Sequence, residues 1–98
     1  MKAEVQPLKA RTLVILNRGA GRHGEETEAQ IAELFQSQSS STRLLVVRNG
    51  GEIASLAQEA VRSDAEIIVA AGGDGTIDAI AAALTGTGKI LGVLPLGT

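Results

Sequence analysis

The sequence predicts an α/β fold: a three-layer α/β/α domain with a mainly parallel four-stranded sheet. Three observations carry this expectation. Short apolar runs alternate with stretches whose apolar residues recur at helical spacing, the pattern of successive βαβ units. Glycine follows the C-terminal end of every predicted strand, which gathers the loops on one edge of the sheet. The apolar complement, 44% of 98 residues, is almost wholly Leu, Ile, Val and Ala, with Phe35 the single aromatic. That is the filling of a parallel sheet covered on both faces.

Taken in order, residues 1–10 read as a flexible N-terminal tail and 11–98 as the domain. Arg11–Leu16 is the first strand, apolar on both faces in its second half, and Asn17 to Gly24 is a glycine loop. A helix over about Glu25–Gln38 places Ile31, Leu34 and Phe35 on one side, while Glu25, Glu26 and Glu28 suit the positive end of its dipole. Ser37 to Thr42 is a polar turn, and Arg43–Arg48 is the second strand, closed by Asn49-Gly50-Gly51. Ile53, Leu56, Ala57, Ala60 and Val61 then follow the i, i+3, i+4, i+7, i+8 rule of an amphipathic helix. Glu66–Ala71 is the third strand, Gly72–Thr76 a loop, Ile77–Leu84 a helix, and Thr85–Gly88 a turn before the fourth strand at Lys89–Leu94. Parallel strands need right-handed crossovers, and ligands of open α/β sheets bind where the strand order reverses. The reversal is expected between the first and third strands, so the loops around Gly21 and Gly73 would face one crevice.

Composition narrows the function. A net charge of −2 argues against nucleic acid as a partner. Without cysteine there is no disulfide framework and no thiolate metal site. The N-terminus lacks an apolar signal region and no later run approaches a membrane span, so the chain reads as cytoplasmic.

The chemistry concentrates at Gly72-Gly73-Asp74-Gly75-Thr76. Glycine lets a phosphate approach main-chain N–H groups, and the N-terminus of the following helix adds a favourable dipole. Asp74 would hold the metal ion that travels with a nucleotide. The plainer reading is a tight turn with Asp74 as the helix N-cap, although a cap does not need three glycines in four positions. Gly19-Ala20-Gly21-Arg22-His23-Gly24 fits the dinucleotide pattern G-x-G-x-x-G. The second strand, however, ends in Val47-Arg48-Asn49 without the acid that would hold a ribose; Arg48 would suit a 2′-phosphate instead. A surface turn explains the same glycines. Arg18 and Arg22 either meet phosphate charge or are ordinary surface arginines, His23 reads as solvated, and Asp78 as a favourable charge early in a helix. No Walker loop occurs.

Asn17-Arg18-Gly19-Ala20-Gly21, Gly72-Gly73-Asp74-Gly75-Thr76 and Leu91-Gly92-Val93-Leu94-Pro95-Leu96-Gly97-Thr98 together resemble, in order and spacing, the nucleotide-binding half of the diacylglycerol kinase catalytic domain. That family includes diacylglycerol, sphingosine and ceramide kinases and bacterial lipid kinases; the NAD kinases and phosphofructokinases are more distant relatives that share the Gly-Gly-Asp-Gly core. The resemblance implies ATP and Mg²⁺ as cofactors and transfer of the γ-phosphoryl group to a lipid hydroxyl, placing the chain in phospholipid metabolism. It implies a nucleotide site formed by Asn17, Arg18, Gly19, Gly72, Gly73, Asp74, Gly75, Thr76, Gly97 and Thr98, with Asp74 the catalytic residue and no metal ligand assigned. It also implies a second, β-rich domain that carries the general base and lipid pocket and is absent from this sequence. The chain departs from the family at Arg18 and Ala20 (usually Pro and Ser), at Ile77-Asp78-Ala79 (often x-Asn-Glu), and at Val47-Arg48, where a Thr is common.

The resulting expectation is an ATP-binding fragment, inactive by itself, that meets its lipid substrate through the missing domain with transient membrane contact. Self-association is expected through the fourth strand, where Ile90, Leu91, Val93 and Leu94 lack cover. The alternatives are a non-catalytic nucleotide-binding or assembly module, or an NAD(P)-binding Rossmann-like domain.

Overall fold

A computed structural model describes residues 11–18, 28–33 and 41–96. Four strands, β1 (Thr12–Asn17), β2 (Thr42–Val47), β3 (Ile67–Gly72) and β4 (Ile90–Pro95), form one sheet in the order β2-β1-β3-β4. Every neighbouring pair is parallel. Helical residues 28–33 are α1; α2 runs from Ile53 to Arg62 after a 3-10 turn at Gly50–Glu52, and α3 from Asp74 to Leu84.

Alternation along the strands divides the core into two layers. Leu13 and Ile15 of β1 and Ile68 and Ala70 of β3 pack against Ile53, Ala57 and Ala60 of α2 and Ile80 and Leu84 of α3. On the opposite face Val14, Leu16, Val69 and Ala71 gather around Ile31 of α1. The three layers anticipated from the sequence are therefore present. The central strand is fully enclosed, with Val14 and Ile15 at 0% exposure, whereas Ile90 and Val93 on the β4 edge are 60% and 46% exposed.

The helix stripe over 53–61 is realised, with Ile53, Ala57 and Ala60 buried and Leu56 and Val61 half-buried. Three strands, β1, β3 and β4, lie one residue further along the chain than their apolar runs suggest, and β2 lies one residue earlier, because the parallel ladders run from Thr12↔Thr42 to Asn17↔Val47 and on to Gly72↔Pro95. The larger difference is at α3, which starts at Asp74 rather than Ile77. Asp74-Gly75-Thr76 is thus the first helical turn and not loop. Gly73 occupies the N-cap, with no side-chain cap hydrogen bond, so the alternative in which Asp74 caps the helix is set aside. Between α3 and β4 the chain turns through Gly86 and Gly88, at φ of 75° and 78°. Residues 1–10, the Gly19–Gly24 loop, Glu25, Glu26, Leu34 and Phe35 of the first expected helix, and Gly97 and Thr98 lie outside the described residues.

Candidate functional site

Because β1 and β3 are neighbours while their following crossovers run to opposite edges, the order reverses between them, as expected. This order also differs from the classic dinucleotide-binding half-sheet, in which the third strand lies outside the second. The topology therefore offers the NAD(P) reading no support, and its glycine fingerprint falls outside the described residues.

At the reversal the ends of β1 and β3 meet. Asn17, the last residue of β1, donates from Nδ2 to Thr76 Oγ1 at 2.9 Å, joining residues 59 apart in sequence. Thr76 is buried in the first turn of α3. It lies so close over the end of β3 that a Cβ on Gly72 would meet its Cβ and Oγ1 at 3.0 Å. Gly72 is therefore small because Thr76 occupies its side-chain space. Gly75 is different: a Cβ there would meet nothing within 4 Å among the described residues. Neither residue is among the positive-φ glycines, so space rather than backbone strain distinguishes them.

The first bond into α3 runs from the Ile77 N–H to the Gly73 carbonyl at 3.1 Å, which leaves the amides of Asp74, Gly75 and Thr76 ahead of the helical ladder. Asp74 itself is exposed. One further polar group is unanswered: Asn17 Oδ1 is buried and has no hydrogen-bond partner among the described residues. A polyphosphate fits this arrangement on two counts, the bare amides of a helix N-terminus and the vacant space above Gly75. For Mg²⁺ the protein offers Asp74, with Asp78 one helical turn later. No group of three or more metal-binding side chains occurs among the described residues, so phosphate and water oxygens would complete the ion's shell.

The remaining predicted site residues divide. Arg18 donates its N–H to the Val47 carbonyl at 2.9 Å, and its guanidinium lies 3.6 Å from the Glu28 carboxylate. Its charge is thus partly answered by α1. Arg48 is exposed beyond β2, and Asn49 uses its side chain to accept from the Gly51 N–H at 3.0 Å, organising the 3-10 turn. Gly19, Gly97 and Thr98 are outside the described residues. Sequence reasoning placed Asn17 and Thr76 in the same site without foreseeing that they bond to each other. The available signal was the shared crevice implied by the β1/β3 reversal.

These features define an open parallel α/β domain with a glycine-lined helix start at its switch point. The sequence model of the diacylglycerol kinase catalytic domain matches residues 11–98, and the chain belongs to that family. It is 37% identical over 93 residues to a "Probable lipid kinase YegS-like" protein of Serratia proteamaculans, covering 91% of this chain and 30% of the relative. A protein of the same description from Cronobacter sakazakii is 37% identical over 95 residues, covering 85% and 32%. An "Uncharacterized protein sll0036" of Synechocystis is 38% identical over 96 residues, covering 87% and 22%. The chain spans about a third or less of the length of the curated relatives it matches. Among the described residues, no helix is long and apolar enough to cross a membrane.

Proposed function

We propose that this chain is the nucleotide-binding portion of a lipid kinase, taking ATP with Mg²⁺ at the β1/β3 switch point for transfer of the γ-phosphoryl group to a lipid hydroxyl. The observation that carries the reading is the vacant space over Gly75 beside three amides that precede the helical ladder. There the protein's own groups can bind and orient the phosphates, and positioning with charge stabilisation is most of what phosphoryl transfer requires. Bound Mg²⁺ would neutralise phosphate charge. Asp74, exposed at the first helical position, is the side chain placed to hold the ion.

The lipid hydroxyl and its general base belong to a further domain in this reading, so the 98 residues by themselves should bind nucleotide without turning over lipid. A cytoplasmic location with transient membrane contact forms part of the same proposal. Isothermal titration of the chain with ATP and Mg²⁺ tests it. Saturable, Mg²⁺-dependent binding that Asp74→Ala weakens by tenfold or so (about 1.4 kcal/mol) is expected; binding unchanged in that variant would refute the role given to Asp74.

One observation favours a non-catalytic module: Asp78-Ala79 follow Ile77 where the family often has Asn-Glu. Single-turnover phosphorylation of diacylglycerol by the chain joined to a β-rich domain of a YegS-like relative separates the two readings. Absence of turnover despite nucleotide binding would favour the module.

Self-association through β4 completes the proposal, with a second copy as the occupant of the edge. Ile90, Val93 and Leu96 are 60%, 46% and 40% exposed beside an unpaired ladder, the arrangement that edge strands usually avoid. Sedimentation velocity should show a concentration-dependent dimer that Val93→Lys abolishes, and a monomer at all concentrations would count against it.

A further inference from the structure

Three contacts tie the loop ends of the strands together. The Arg18 N–H bonds to the Val47 carbonyl, joining β1 to β2, and the Leu96 N–H bonds to the Gly72 carbonyl at 3.0 Å, joining β4 to β3. Both are backbone bonds that continue the ladders. The third is the side-chain bond from Asn17 to Thr76, which links the end of β1 to the first turn of α3. Among the described residues that turn has no other side-chain anchor: its N-cap is Gly73, which makes no side-chain cap bond, and a Cβ at Gly75 would meet none of them within 4 Å. Glycines at these positions leave the backbone entropically loose. Something must hold it.

We propose that Asn17 is a positioning residue. Through Thr76 it fixes the start of α3 against β1, so that the amides of 74–76 keep their aim into the crevice. This rests on the nucleotide-binding reading only for its consequence; the brace itself is a property of the free chain. Thr76 suits the task on both sides, its hydroxyl accepting from Asn17 and its Cβ substituents filling the hollow left by Gly72. The proposal separates two roles that a residue at this place could have. A direct ligand contact would leave α3 unchanged when Asn17 is removed. A brace would loosen α3 whether or not a nucleotide is present.

The test is amide hydrogen exchange by NMR on the full chain without ligand, for Asn17→Ala, Thr76→Val, the double variant and Thr76→Ser. Each of the first two should speed exchange at the Ile77 and Asp78 amides by roughly three- to tenfold, the range that one net hydrogen bond supplies. Amides of α2 should not change. The double variant should be no faster than either single one, because both remove the same bond. Thr76→Ser retains the hydroxyl and should remain near wild type. Unchanged exchange at Ile77 in Asn17→Ala, or additive effects in the double variant, would overturn the proposal. ATP titrations of the same variants give a second readout. Equal losses of affinity in Asn17→Ala and Thr76→Val are expected, and a much larger loss in Asn17→Ala would mark direct ligand contact instead. Should wild-type chain bind no ATP while the exchange pattern holds, the functional reading fails and the brace stands.

Discussion

The two ends of the sheet are built on opposite principles. At the N-terminal ends of the strands, polar groups are answered. Arg43 lies 3.0 Å from Asp64, and Arg11 lies 3.8 Å from Asp64 and 3.5 Å from Glu66. Lys89 Nζ donates to the carbonyl of Ser63 at 3.1 Å and to that of Ala65, closing the C-terminal end of α2. At the C-terminal ends of the strands, groups are left unanswered: a buried amide oxygen on Asn17, an N-cap without a side-chain bond, and open volume over Gly75. A buried polar atom without a partner costs folding free energy, and Asn17 Oδ1, the one such side-chain atom among the described residues, lies at this end. A cavity of about 570 Å³ between β2 and α2, lined by Leu13, Arg43, Leu45, Glu59, Ala60 and Ser63, lies at the answered end.

The largest effect that tests this contrast is steric and lies at Gly72. Gly72→Ala would drive a methyl into Thr76 at 3.0 Å and should destabilise the chain by about 1–3 kcal/mol, measured by urea unfolding. A variant as stable as wild type would mean that the Thr76 packing is not what keeps position 72 small. At the answered end, Lys89→Met removes a charged donor from two backbone carbonyls and should also cost about 1–3 kcal/mol, without altering nucleotide affinity. Arg43→Ala beside it should cost only ~0.2–1 kcal/mol, because the side chains of its ion pair are both more than half exposed. Were Arg43 to matter as much as Lys89, the distinction drawn between surface pairs and carbonyl-bound lysine would fail.

The smallest change in stability is the sharpest discriminator. Gly75→Ala replaces a helical glycine that has no described neighbour within 4 Å of its Cβ position, so the fold should gain about 0.5–1 kcal/mol. The same methyl intrudes where the phosphates are proposed to lie, so ATP affinity should fall. A more stable protein that binds less well is the signature of a position kept small for a ligand. Calorimetric unfolding and titration of this single variant decide it, and parallel gains in both would remove Gly75 from the site.

Much of this architecture was legible in advance because it follows from local rules. The apolar runs and the 53–61 stripe located the strands and α2, and glycine after each strand located the loop edge. The start of α3 was not legible, for a reason particular to Asp74-Gly75-Thr76. Glycine in a helix is locally unfavourable, so a reading from propensity assigns that triplet to loop. Packing of Thr76 on Gly72 and its bond to Asn17 override the propensity. The strand order that brings residues 59 apart to one crevice was anticipated, but the Asn17–Thr76 bond itself was hidden because it depends on side-chain placement within that crevice, which leaves no trace in either segment. The side-chain status of Asp74 and Asn17 shows the same division. That both lie near the β1/β3 reversal follows from motif and topology, while which of them is exposed and which carries the orphaned oxygen emerges only from packing.

The strand order has a consequence for synthesis as well. β1 leaves the ribosome first, yet one of its two neighbours in the sheet is β3, where Ile15 aligns with Ala70, about 55 residues later in the chain. At translation speeds of ~5–20 residues per second, that interval is several seconds. Throughout it, the most water-averse segment of the domain must wait half-paired, shielded at best by β2. Contacts so distant in sequence also slow folding after release. Nascent chains shorter than about 70 residues should accordingly be good clients for holding chaperones.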